Sequence, residues 1–156
     1  MINYPIREGL EFVLRYVRRD ALCNVCGKND AWARQRINRY AHNNGDGFYY
    51  FSRQDCNIIN NAMPELARRL ETISIPKTHG IENAEDARFE IECMLRILKV
   101  GNLQKDLGYN KARWHDRIRD DYDRYWFTPD ELKMMREHIK KVCQILRNVQ
   151  VEYEEI

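Results

Sequence analysis

Among the side chains of this 156-residue chain, its five cysteines and four histidines are the best suited to metal or redox chemistry. Cys23 and Cys26 form a Cys-x-x-Cys pair. With Cys56 and His42 they would make a tetrahedral zinc site of thiolates and imidazole. Ahead of a helix the same pair can be redox-active. The competing reading is structural: no second Cys-x-x-Cys exists, and cysteine often serves as a small buried hydrophobe. Cys93 and Cys143 fall at core positions of helical patterns. An odd number of cysteines cannot pair completely, which favours a reducing, cytoplasmic setting. His42, His79, His115 and His138 are dispersed and form no His-Glu-x-x-His motif. Gly45-Asp46-Gly47 lacks the lysine and helix of a phosphate-binding loop. Asp86 and Glu90 read as a solvated helix face. The sequence assigns no metal, no cofactor and no catalytic residue, and the expectation is a non-enzymatic protein.

A second set of residues suits nucleic acid. Lys28, Asn29, Arg34, Arg36 and Arg39 follow Gly27 on a predicted helix, and Lys111, Arg113 and Arg117 follow Gly108 on another. Arg, Lys and Asn on a recognition helix read base edges in the major groove, while further cations hold phosphates. The stretch 28–39 carries four basic residues against one Asp, whereas Asp116, Asp120, Asp121 and Asp123 crowd the second candidate. Between them lies the loop 41–50, where Gly45 and Gly47 suggest a turn or small wing. Phe48, Tyr49 and Tyr50 in that loop suit a partner anchor or stacking on nucleotides, or else a seal between neighbouring helices.

These residues need a scaffold, and the chain supplies the same pattern twice. Cys26-Gly27-Lys28-Asn29-Asp30-Ala31 aligns with Leu107-Gly108-Tyr109-Asn110-Lys111-Ala112, and Arg36-Ile37 with Arg117-Ile118. A gap of about five residues, the extra length of the 41–50 loop, then brings Tyr49-Tyr50-Phe51-Ser52 onto Tyr125-Trp126-Phe127-Thr128. Ser52 with Asp55 and Thr128 with Glu131 read as helix caps, and Pro129 sits where its missing N–H costs nothing. Helices of about 17–20 residues should follow, burying Ile59, Met63, Leu66 and Leu70 in one half and Met135, Ile139, Val142 and Leu146 in the other. Pro64 should kink or divide the first of them. Earlier apolar-periodic helices carry Leu10, Val13, Leu14 and Val17, and Phe89, Ile91, Met94, Leu95 and Leu98. Each is followed by a short element ending at Gly27 or Gly108, and then by a helix near 29–40 or 110–122.

The expected fold is therefore all-α: a tandem duplication of a four-helix, helix-turn-helix-like unit, with repeats at 1–75 and 87–156 joined by a linker at 76–86. The stretches 72–75 and 149–153 alternate, which suits short paired strands as well as frayed helix ends. The segment 103–118, with Gly108, Lys111, Trp114 and Arg117, followed by Phe127-Thr128-Pro129-Asp130-Glu131-Leu132, resembles a group of small uncharacterised Bacteroides and phage helical proteins. The resemblance is best over 103–146 and looser over 22–70, through Gly27-Lys28-Asn29, Trp32, Arg36 and Phe51-Ser52. It implies helical architecture.

Charge and hydropathy set the outer bounds. Lys and Arg total 26 against 24 Asp and Glu, a net +2 that does not announce a polyanion binder. Residues 1–76 hold 11 basic and 8 acidic side chains, and residues 77–156 hold 15 and 16, so attraction for nucleic acid belongs to the first half. Mean hydropathy is -0.72. No uninterrupted apolar run is long enough to span a membrane, and the N-terminus lacks the basic and apolar regions of a signal peptide. The leading expectation is duplex-DNA binding through the helix after Gly27. The alternative is a protein-interaction module such as a phage or mobile-element inhibitor or adaptor.

Overall fold

A computed structural model describes residues 1–42, 45, 47–108 and 126–155. Among these the chain is mostly helical. Strand β1 (Ile2–Pro5) leads into α1 (Ile6–Val13), α2 (Arg19–Cys26), α3 (Asp30–Ile37) and the long α4 (Arg53–Glu71). A 3-10 turn (Ile81–Asn83) opens α5 (Ala84–Leu95), which is followed by α6 (Val100–Leu107), α7 (Pro129–Asn148) and strand β2 (Val149–Glu152). No helix among the described residues is long and apolar enough to cross a membrane.

Local chemistry sets the boundaries. Ser52 Oγ accepts the Asp55 N–H at 3.1 Å while Asp55 returns a carboxylate to the Ser52 N–H at 2.8 Å. Thr128 and Glu131 repeat that reciprocal cap on α7, at 3.2 and 2.9 Å. Each cap pairs two backbone donors that would otherwise lack a partner at a helix start. The 19 residues of α4 and the 20 of α7 match the expected lengths. Pro64 does not divide α4, which runs through it as one helix. At the other end of the short helices, Gly27 takes φ +71° and Gly108 φ +67°, a left-handed conformation that a Cβ disfavours. The Gly27 N–H donates to the Asn24 carbonyl and the Lys28 N–H to the Cys23 carbonyl, closing α2 before the chain turns into α3.

The α1–α2 and α5–α6 connections cross each other at a single antiparallel bridge, Val17 opposite Leu98. The Arg18 N–H donates to the Ile97 carbonyl at 2.7 Å and the Lys99 N–H to the Tyr16 carbonyl at 2.9 Å. Each connection thus gives and receives one bond at matching positions, and both Val17 and Leu98 are fully buried. Helices α4 and α7 pack on each other beneath this crossing. One continuous apolar cluster includes Leu10, Val13 and Leu22 with Ile59, Met63 and Leu66, and also Ile91, Met94 and Leu103 with Met135, Val142 and Leu146. Away from that cluster, the buried His138 imidazole meets the Asp106 carboxylate at 2.5 Å and ties α6 to α7.

The strand pairing departs from expectation. The stretch 149–152 is a strand, but its partner is the N-terminal segment, parallel, with Ile2 opposite Val149 and Pro5 opposite Glu152. The stretch 73–75 is not a strand. The reason lies in α1 and α5. Gly9 lets α1 lie directly against β2, where an added Cβ would come within 2.7 Å of Val151 Cγ1. The corresponding part of α5 carries Glu90, whose carboxylate accepts the Ser74 N–H at 2.9 Å and takes the place a strand carbonyl would hold. On its other side β2 is clasped by Asn60 of α4, which accepts the Val151 N–H at 2.8 Å and donates to the Val151 carbonyl at 2.9 Å.

Candidate nucleic-acid interface

The Gly27 turn separates α2 from α3 and sets where α3 begins. Asn29 stands at its N-cap, and its Oδ1 accepts the Trp32 N–H at 2.8 Å. That oxygen is therefore spent on the helix start and is not free to accept from a base. Lys28, Asn29 and Arg34 are exposed, and among the described residues neither Lys28 nor Arg34 forms an ion pair. The exposed Asp30 beside them is answered by Arg19, whose guanidinium reaches both carboxylate oxygens at 2.6 and 3.1 Å. That hydrogen bond holds the Asp30 pKa below its ordinary value.

Arg36 and Arg39 face a different way. Arg36 lies between the Trp32 and Tyr49 rings, 5.6 and 5.4 Å from their centres, and donates to the Trp32 carbonyl at 3.2 Å. Its side chain is 22 % exposed, and the Asp55 carboxylate sits 3.9 Å from Nε. Arg39 adopts a positive φ of 50° where α3 gives way to the following loop. It covers the Tyr50 ring and meets Glu154 at 2.6 Å. The five cations and amides proposed from sequence therefore split. Lys28, Asn29 and Arg34 line the outer side, whereas Arg36 and Arg39 fasten α3 to the aromatic loop and to the C-terminal segment. Lys111, Arg113 and Arg117, with the second candidate recognition helix, lie outside the described residues.

The loop after α3 folds back as a small hairpin. Ala41 bridges Phe48, the Tyr49 N–H donates to the Tyr40 carbonyl, and the His42 N–H donates to the Gly47 carbonyl. Gly45 and Gly47 take the positive φ values of 77° and 108°. The three aromatics do not act together. Phe48 is 53 % exposed, while Tyr49 and Tyr50 lie half-buried beneath the two arginines. Phe51 does the sealing, packing edge-on against Trp32 at 5.5 Å.

No protein-family model, curated protein or solved structure matches this chain. The geometry alone carries the functional reading.

Among the described residues no three His, Cys, Asp or Glu side chains gather as a metal site. Burial raises the thiol pKa of Cys23 and Cys56, and that of Cys26 to about 11. Sequence reasoning missed two polar pairs. Asp106 and His138 lie on different helices and carry no joint motif. Arg19 and Asp30 are separated by the Gly27 turn, and only the observed turn geometry brings them together.

Proposed function

We propose that the protein is a non-enzymatic duplex-DNA-binding regulator made of two fused copies of one helix-turn-helix-like unit, and that the first copy carries the DNA contacts. The observation carrying the binding assignment is the exposed cationic side of α3 and of the turn before it. Lys28, just before its N-cap, and Arg34, in its last turn, are exposed and form no ion pair among the described residues, on a helix that follows a tight glycine turn. The N-terminal residues of a recognition helix are the ones that meet base edges. The loop that follows α3, pinned by the Ala41–Phe48 bridge, leaves Phe48 exposed.

Duplication is supported by the matched glycine turns, the two reciprocal caps and the reciprocal bonds across Val17 and Leu98. A pair of like units related by a two-fold exchanges bonds in this manner. The common core means that the units, 1–75 and 87–156, fold as one body. Within the proposed linker, 76–86, α5 already begins at Ala84.

The test is anisotropy of a labelled duplex titrated with protein at rising salt. Lys28→Glu with Arg34→Glu should abolish binding that the native chain shows at about 50 mM salt in the micromolar range, and Lys28→Ala should flatten the salt slope by about one charge. An absence of salt-dependent binding by the native chain rejects the reading. A second reading, a protein-interaction module or adaptor, draws on the exposed Phe48. Its signature would be a purified partner whose affinity falls with Phe48→Ala while the fold is retained.

A further inference from the structure

We infer that the groove between the end of α4, the stretch 73–75 and α7 is a docking site for a partner peptide whose apolar residues flank a carboxylate. The groove encloses about 450 Å³. Its floor is Leu70, Ile75, Ile139 and Cys143, all buried in the apolar core or at its edge. That size and lining suit a short peptide side-chain run.

Comparison with the other side of the molecule explains why the groove exists. Residue 60 on α4 and residue 136 on α7 occupy matching places four positions after Cys56 and Leu132. Asn60 bonds both the N–H and the carbonyl of Val151 and draws β2 close. Arg136 stands in the matching place on α7. It reaches past Ile75 to donate to the Pro76 carbonyl at 2.9 Å. A guanidinium has no acceptor, so it cannot take the N–H of Ile75 as Asn60 takes that of Val151. The Ser74 N–H is bonded to Glu90 on the opposite side. Ile75 itself lines the groove beside α7. Among the described residues the Ile75 N–H has no acceptor.

The rim selects the occupant. Arg147 is neutralised by Glu71 at 2.8 Å, whereas among the described residues Lys140 is exposed without an ion pair and Arg136 has only the Pro76 carbonyl as partner. One unpaired backbone donor and two cations on the same groove call for an anionic acceptor, and the apolar floor calls for aliphatic neighbours. A Glu or Asp side chain between Val, Ile or Leu residues meets both demands. A nucleic-acid phosphate meets only the first.

The probe is a fluorescein-labelled peptide, Ser-Val-Val-Glu-Val-Val-Ser, with a control carrying Lys in place of Glu. Anisotropy should saturate with the Glu peptide and weaken at least about tenfold with the Lys peptide. Lys140→Glu should weaken the Glu peptide to a similar degree. Gln144→Trp should block the groove and remove binding. Both substituted residues are exposed, and unchanged thermal midpoints will show that the fold is intact. Failure to saturate by about 1 mM, equal binding of the two peptides, or binding indifferent to both variants would each overturn the assignment. Displacement of the Glu peptide by a DNA duplex, with Lys28 and Arg34 replaced, would overturn it too.

Discussion

Replacing Asn60 by alanine should destabilise the protein by about 2–4 kcal/mol, although Asn60 belongs to no apolar cluster. The side chain forms two hydrogen bonds with Val151, at 2.8 and 2.9 Å. Each is worth about 1 kcal/mol net, which sets the lower figure. Truncation also strands the N–H and carbonyl of a residue that is 2 % exposed, and an unpaired buried group costs about 1–3 kcal/mol. Partial entry of water and the roughly 0.5 kcal/mol gained from alanine's helix propensity bring the sum down to the upper figure. A parallel pair of four-residue strands has little stability of its own, so β1 should loosen with β2. Urea unfolding monitored by circular dichroism measures the change. For a chain of this length, the expected fall in thermal midpoint is about 5–15 °C. Asn61→Ala is the matched control. It removes the same side chain from an exposed position one residue on and should stay within about 0.5 kcal/mol of the native chain. If the two variants melt together, Asn60 is not what holds β2 to the helical body, and the explanation given for the groove on the opposite side fails with it.

Further expectations concern single residues. Gly9→Ala forces a Cβ to within 2.7 Å of Val151 Cγ1 and 3.0 Å of Tyr4 Cβ and should cost about 1–3 kcal/mol in urea melts. Gly27→Ala and Gly108→Ala meet no neighbour within 4 Å, so each should cost only the left-handed penalty of about 1–2 kcal/mol, and the two losses should be similar. His79 is buried, and its Nδ1 accepts the Phe127 N–H at 3.2 Å; burial, with a smaller contribution from Arg88, lowers its pKa below 6.5. The unfolded chain therefore binds the proton more readily. The contribution of His79 is fully present above pH about 6.5 and falls as pH drops toward the depressed folded value, with a slope of at most about 1.4 kcal/mol per unit. Unfolding curves between pH 7.5 and 5 should show a slope that His79→Phe reduces; an unchanged slope would contradict the assignment.

Much of the helical order was legible because it rests on contacts close in sequence. Ser52 with Asp55, Thr128 with Glu131, and the glycines at 27 and 108 act within a turn of themselves, so residue type and spacing suffice. The apolar positions of α4 and α7 were equally open to reading, since a helix that packs on a core must repeat its buried face. What escaped depends on distant partners. The segment Ile2–Pro5 has no pattern that announces Val149–Glu152 as its neighbour. Whether Arg36 and Arg39 point outward or inward depends on where Asp55, Tyr49, Tyr50 and Glu154 lie after folding. Asn60 and Arg136 are ordinary polar helix residues until the strand and the stretch beside them are in place. The cations on α3 and in the turn before it were therefore visible from sequence, while the groove on α7 was not.

The pairing of β1 with β2 also orders events in time. Ribosomes add about 5–20 residues per second, so the segment that completes the sheet emerges roughly 7–30 s after Ile2–Pro5. Local helices form in microseconds and must wait through that interval. Until Val149–Glu152 arrives, the side of Gly9 that meets Val151 is uncovered. The nascent chain thus carries an open strand edge and a partly bare helix flank through that interval, and a holding chaperone that binds extended apolar segments would find its target at Ile2–Pro5.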